Sequence, residues 1–132
     1  MIPLKQIPWH SDAWTVALAN AISDPTVLLR RLGLTSVDVD FDPEFPLRVP
    51  VSFVERMRYG DPADPLLRQV LPAMAERQRM PGYDSDPLAE SAATRAPGII
   101  QKYHGRVLLI AAPVCAVHCR YCFRRAFPYP DH

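Results

Sequence analysis

Apolar positions in the first part of the chain recur at helical spacing, in short bursts closed by proline or glycine. Trp14, Ala17, Leu18, Ala21 and Ile22 fall at i, i+3, i+4, i+7 and i+8 behind Ser11, a good N-cap, and predict one face of a helix. Asp24-Pro25 restarts the chain, with aspartate as cap and proline in the first helical position. Val27, Leu28, Leu29 and Leu32 follow, and Gly33 ends this second helix. The two helices are expected to pack as a pair. Residues 35–50 read as an irregular connector, because Asp42-Pro43 and Phe45-Pro46 force extended or turn geometry. A third helix is predicted from Val51 to Tyr59, with Phe53, Val54 and Met57 as its apolar stripe and Gly60 behind it. Asp64-Pro65 opens a fourth, with Leu66, Leu67, Val70 and Leu71 on one side and Pro72 at its end. Residues 73–80 add a further helical turn. Residues 81–98, rich in Pro, Gly, Asp and Ser, read as a long loop.

From Arg106 the pattern changes. Val107, Leu108, Leu109, Ile110, Ala111 and Ala112 form a continuous apolar run, short and β-prone, which predicts a strand buried on both faces as in a parallel sheet. Pro113 ends it, and a cysteine-bearing stretch begins two residues later. In parallel α/β architectures chemistry sits at the C-terminal ends of strands, so this placement suits a reactive loop. The fold class expected is α/β, with a helical region over residues 1–95 and a strand and loop over 96–132.

Composition narrows this picture. A chain of 132 residues buries one modest core, and 48% hydrophobic content is ordinary for a globular protein. Fifteen prolines are about twice the usual share, but they punctuate helices and do not gather into a linker. No apolar run approaches bilayer length, and Met1-Ile-Pro-Leu-Lys5 has no basic segment followed by a long apolar one. A cytoplasmic location is expected, where free thiolates persist. The net charge of +1 hides an asymmetry: residues 1–99 carry 10 basic and 13 acidic side chains (−3), and residues 100–132 carry 5 and 1 (+4). Positive charge gathered near the cysteines suits carboxylate or phosphate ligands. A basic–aromatic repeat of the nucleic-acid-binding kind is absent.

All three cysteines lie within Cys115-Ala-Val-His-Cys119-Arg-Tyr-Cys122, a C-x3-C-x2-C spacing that can point three thiolates at one centre. Thiolates are soft ligands for zinc or for iron–sulfur clusters. Three cysteines on a four-iron cluster leave one iron open to a reactant. A closed zinc site with His118, His104 or His132 as fourth ligand is the alternative, and three unconnected thiols is the bland one. A disulfide with a spare thiol fits poorly with an odd cysteine count and no secretory signal.

The loop, with Tyr121 just before its last cysteine, resembles the cluster loop of the radical S-adenosylmethionine enzymes. The wider string from Cys115 through Phe123-Arg-Arg-Ala-Phe-Pro-Tyr129 resembles the lysine 2,3-aminomutase family, above all the branch that makes β-lysine for modifying translation elongation factor P. The likeness extends to Phe45-Pro-Leu-Arg-Val-Pro50, to Asp64 through Pro72, and to Lys102 through Ile110. It implies that the strand after Arg106 is the first of a partial (β/α) barrel, truncated here. It implies that Cys115, Cys119 and Cys122 hold a 4Fe-4S cluster whose open iron binds S-adenosyl-L-methionine. Reductive cleavage then yields a 5′-deoxyadenosyl radical, which takes a hydrogen from L-lysine held on pyridoxal 5′-phosphate, and the amino group migrates from the α to the β carbon.

The same resemblance places Tyr103 and Arg106 at pyridoxal phosphate contacts. Lys102 stands there too, where some relatives have Arg; it keeps the charge and loses the planar fork. Arg124 falls where relatives bind the substrate carboxylate, and an Arg–carboxylate pair is a sound physical fit. Tyr121, Phe123 and Phe127 are expected to pack around the cluster. Ala126 departs from the His usual in the closest branch. The chain has two lysines, Lys5 and Lys102, and neither suits the Schiff base of such an enzyme. The sequence therefore reads as an N-terminal fragment, inactive alone, of an enzyme whose partners are L-lysine and, by that branch, elongation factor P pathway proteins. Three alternatives remain: an aminomutase of lysine catabolism, a non-catalytic Cys3His zinc module, and an interaction domain built from the N-terminal helices.

Overall fold

Two Asp-Pro pairs start helices for the same local reason. Asp24 Oδ1 accepts the Thr26 N–H at 2.7 Å, and Pro25 begins helix α2, Pro25–Arg31. Asp64, only 3% exposed, accepts the Leu66 and Leu67 N–H groups at 2.8 and 3.0 Å and begins helix α4, Pro65–Arg68. The computed structural model describes residues 13–35, 37–112 and 114–127. Within them, helix α1 (Ala13–Ala19) precedes α2, and helix α3 (Val51–Val54) lies between α2 and α4.

Two helical expectations are corrected. The apolar stripe of α1 does not make a buried pair with α2: the helix buries no residue, and Trp14 is 62% exposed. Its expected cap, Ser11, lies outside the described residues. The third helix, expected over 51–59, stops at Val54. The ladder tightens to i−3 bonds, Arg56 N–H to Phe53 O at 3.2 Å and Met57 N–H to Val54 O at 2.9 Å, and the Arg58 N–H then goes to Asp64 Oδ2 at 3.1 Å. The chain then closes at Gly60, whose φ is +71° and whose N–H reaches Leu32 O at 2.8 Å. The expected turn after Pro72 is present as a 3₁₀ turn over Met74–Arg77.

The core joins these helices to the connector. Leu28, Leu47, Val49, Leu67 and Val70 are each 2% exposed or less, and they belong to one cluster running from Ile22 to Leu71. Paired backbone bonds between Ile22 and Val49, at 2.8 and 3.0 Å, fasten the end of the first helical segment to the connector. Val117, from the cysteine loop, packs against the same cluster.

The C-terminal portion departs further from expectation. Strands β1 (Thr94–Ala96), β2 (Ile99–Tyr103) and β3 (Arg106–Leu109) form an antiparallel meander in the order β1-β2-β3. Pro97-Gly98 turns the first pair and His104-Gly105 the second, with φ +74° at both glycines. The expected long loop over 81–98 therefore ends in a 3₁₀ turn (Ser91–Ala93) and β1. The apolar run after Arg106 is neither parallel nor buried: all four residues of β3 are exposed, Leu109 to 67%. A strand so close behind a two-residue turn pairs antiparallel with its predecessor, since a parallel partner needs a longer crossover. Barrel geometry is not formed within the described residues. No described helix is long and apolar enough to cross a membrane.

Candidate functional site

The cysteine loop is held by the residues between and after its cysteines. The His118 N–H donates to Arg48 O at 2.9 Å, its Nδ1 lies 2.9 Å from Pro46 O, and its ring stacks on Phe45 at 4.7 Å. The Arg120 N–H reaches Gln69 O at 2.7 Å. The Arg120 guanidinium forks onto Glu76, Nε at 2.9 Å and Nη2 at 2.5 Å, and gives Nη1 to Phe45 O at 2.6 Å. Arg125 Nη1 adds a second cation to Glu76 Oε2 at 2.8 Å. The connector, the segment after α4 and the 3₁₀ turn thus each grip one short loop.

Glu76 shows how the balance falls. Burial alone would push its carboxyl upward. The hydrogen bonds from Arg120 and the Ala73 N–H, with the charges of Arg120 and Arg125, outweigh burial and hold it below the ordinary value of 4.5. Asp40, 4% exposed, does the same task next door: Arg77 Nε and Nη2 fork onto it at 2.5 and 2.7 Å, and the Arg77 bond is the main cause of its lowered carboxyl.

The three thiols are free; Cys115 is exposed and Cys119 and Cys122 are half-buried. Their donor chemistry fits a cluster: three soft ligands on one anchored loop. Their geometry is not a closed ligand set, because among the described residues no three His, Cys, Asp or Glu side chains stand close enough to share a metal ion. His118 commits Nδ1 to Pro46 O, and His104 stands exposed in the β2–β3 turn. His132 lies outside the described residues. Tyr121, expected as cluster packing, is 73% exposed; its phenol is raised by its hydrogen bond to Cys119 and by that sulfur's charge.

The other four predicted residues come together. Lys102, Tyr103, Arg106 and Arg124 line one cavity of about 260 Å³, with Glu90 and Leu108 among its other walls. Lys102 and Tyr103 end β2 and Arg106 begins β3, so the hairpin presents all three; Arg124 comes from the turn just beyond Cys122. Lys102 Nζ donates to Leu88 O. Arg124 does not face the cavity alone: Glu90 takes its Nε at 2.8 Å and Nη2 at 2.7 Å. The Glu90 carboxyl is held below its ordinary value of 4.5, chiefly by that pair.

Glu76, Glu90 and Arg120 escaped the sequence reading. The charge asymmetry was their signal. Much of the positive charge near the cysteines, assigned there to outside anions, meets glutamates of this chain: Arg120 and Arg125 on Glu76, and Arg124 on Glu90.

Fold and site together define a class: a helical scaffold that pins a three-thiol loop beside a basic, tyrosine-lined cavity. No family model matches the chain. Curated relatives do. It is similar to the L-lysine 2,3-aminomutase of Buchnera aphidicola subsp. Baizongia pistaciae (44% identity over 128 residues, 93% of this chain and 38% of the relative). The L-lysine 2,3-aminomutases of Escherichia coli strain K12 (45%, 92% of this chain, 36% of the relative) and Haemophilus influenzae (40%, 100% and 40%) align equally broadly. The chain is similar to these L-lysine 2,3-aminomutases over nearly its whole length, and spans about two-fifths of theirs.

Proposed function

We propose that this chain is the front portion of an isomerase that converts L-lysine to β-lysine, using a 4Fe-4S cluster, S-adenosyl-L-methionine and pyridoxal 5′-phosphate, and that the product serves modification of elongation factor P. The observation that carries this reading is the shared cavity. Four residues assigned to cofactor and substrate by resemblance alone, three before the cysteine loop and one after it and separated by up to 22 positions, line one pocket. The extent of alignment to the three aminomutases supports it from the other side.

In this reading Cys115, Cys119 and Cys122 hold the cluster, and residues 1–95 act as the scaffold for the part over 96–132. The bound cofactors supply radical generation and a carrier for the migrating amino group, chemistry that side chains alone lack. The chain's own residues bind and orient. Arg106 and Lys102 offer cations to a phosphate, Tyr103 a hydroxyl and an aromatic face, and Arg124 a planar fork to a carboxylate. The anchoring of His118 and Arg120 limits how far the cysteines move when they gather their ligand.

Anaerobic reconstitution tests it. Iron and inorganic sulfide near four each per chain, with a brown absorption shoulder, are expected for the 4Fe-4S assignment, and Cys115→Ser, Cys119→Ser or Cys122→Ser is expected to lose both. A colourless protein with stoichiometric zinc and no sulfide would instead establish the zinc module.

A further inference from the structure

The three cysteines are not held alike. Cys122 is bracketed: Arg120 before it and Arg125 after it both end on Glu76, and Arg125 Nη1 also reaches Arg120 O at 3.3 Å. Cys119 lies between His118, whose N–H and ring are bound to the connector, and Arg120, whose N–H is bound to Gln69 O. One turn spans the two cysteines, with the Cys122 N–H on Cys119 O at 3.1 Å, and both are half-buried. Cys115 differs. It is exposed, as are Val114 and Ala116 beside it, and among the described residues no hydrogen bond holds residues 114–116.

Glu76 is itself firmly placed. Its Oε1 accepts the Ala73 N–H at 3.1 Å, and the next residue, Arg77, forks onto Asp40, which is 4% exposed. Neighbouring residues of one 3₁₀ turn thus clamp the connector on one side and the cysteine loop on the other. Two cysteines at C-x2-C spacing on one turn are a recurrent ligand pair for a soft metal ion. Ligands already in place bind without the conformational entropy lost by a ligand that must first be ordered.

We propose that the loop is a two-plus-one ligand: Cys119 and Cys122 form a preset pair that captures the first metal ion, Cys115 closes on it afterwards, and Glu76 is the positioning residue that presets the pair through Arg120 and Arg125. The inference rests on the reading of the three thiols as ligands of one centre. Each thiol that binds releases its proton to solvent. A four-iron cluster needs all three thiolates, whereas a single soft ion is held by the pair, so a single ion exposes the asymmetry.

The test is anaerobic titration of the metal-free 132-residue chain with cadmium(II) alone, followed by the ultraviolet thiolate-to-metal charge-transfer band, whose intensity counts bound thiolates. Cys115→Ser is expected to keep a two-thiolate band and to bind about tenfold more weakly than the parent, and Cys119→Ser and Cys122→Ser to weaken binding by about a hundredfold or more, because each breaks the pair. Glu76→Gln is expected to weaken cadmium about tenfold, the low end for loss of a group that orients a metal ligand. That loss persists in Cys115→Ser and vanishes in Cys122→Ser, where no pair is left to preset, whereas a merely structural residue lowers every background alike. Equal weakening by the three cysteine variants overturns the inference, as do a parent that binds no cadmium, unchanged binding by Glu76→Gln, and a Glu76→Gln loss of the same size in every background. If Glu76→Gln fails to fold, Arg125→Gln is read by the same criteria, with a smaller loss expected. The cadmium pattern without uptake of iron and sulfide removes the cluster assignment and keeps this inference; cluster uptake by a chain whose three cysteines weigh equally on cadmium does the reverse.

Discussion

Glu76 stands between two arginines of the cysteine loop, and Arg120 is the more committed of them: its side chain is 8% exposed against 30% for Arg125. Removing the carboxylate leaves a largely buried guanidinium without a counter-charge, which costs more than the pair itself is worth. Glu76→Ala is therefore expected to destabilise the chain by about 3 kcal/mol in urea unfolding, the low end for a broken buried pair because Glu76 keeps some exposure. A loss below about 0.5 kcal/mol would show that water replaces the carboxylate freely. The pH dependence follows from the same residue. Glu76 and Glu90 are both held below 4.5 when folded, so the folded state binds fewer protons than the unfolded one near that pH. Their stabilisation is complete above about pH 4.5 and is lost as pH falls through the lower folded values. The acid limb of a stability–pH curve should flatten in Glu76→Gln, and an unchanged slope would remove Glu76 from its cause.

At the scale of elements, the clearest features are those whose cause is local. Asp24-Pro25 and Asp64-Pro65 were readable as helix starts because cap and proline act within three residues. The tight turn after α3 was not readable, because Asp64 reaches back six positions to hold the Arg58 N–H. That double task makes a sharp prediction. Asp64→Ala, at a residue 3% exposed, removes two capping bonds from α4 and takes the acceptor from the part-buried Arg58 N–H bond. The expected loss is about 2–3 kcal/mol, a cap plus an unsatisfied donor, with Asp64→Asn retaining part of it. A loss within 0.5 kcal/mol in chemical denaturation would mean the turn between α3 and α4 re-forms without the carboxylate. The β-hairpin carries readable signals in Pro97-Gly98 and His104-Gly105, but the apolar run behind them has the composition of a buried parallel strand. Apolar content alone cannot report which partner a strand finds or how deeply it lies.

For the whole molecule, the cysteine motif is written in residue type and spacing, whereas the four cavity residues are named only through the resemblance. What they touch was not legible, because Glu76 lies 44 residues from Arg120 and Glu90 lies 34 from Arg124. The same long-range dependence leaves one surface with a measurable consequence. Strand β3 is an edge of the sheet among the described residues, yet it carries Val107 at 62% and Leu109 at 67% exposure. Edge strands are usually guarded by charge, and this one has only Arg106 at its start. The aligned aminomutases are more than twice as long as this chain, so further sequence is available there to cover such an edge. The 132-residue chain taken by itself has its own β3 as the nearest complement. It is expected to self-associate at about 100 μM, with strands pairing edge to edge. Leu109→Lys places a charge on that edge without touching the cluster from Ile22 to Leu71, and it lies outside the cavity walls. Light scattering should fall to the monomer value in this variant, while its unfolding free energy from urea titration stays within about 0.5 kcal/mol of the parent, as for an ordinary surface change. A parent chain that is already monomeric at that concentration would show that β3 needs no partner, and an associating Leu109→Lys variant would move the contact elsewhere on the surface.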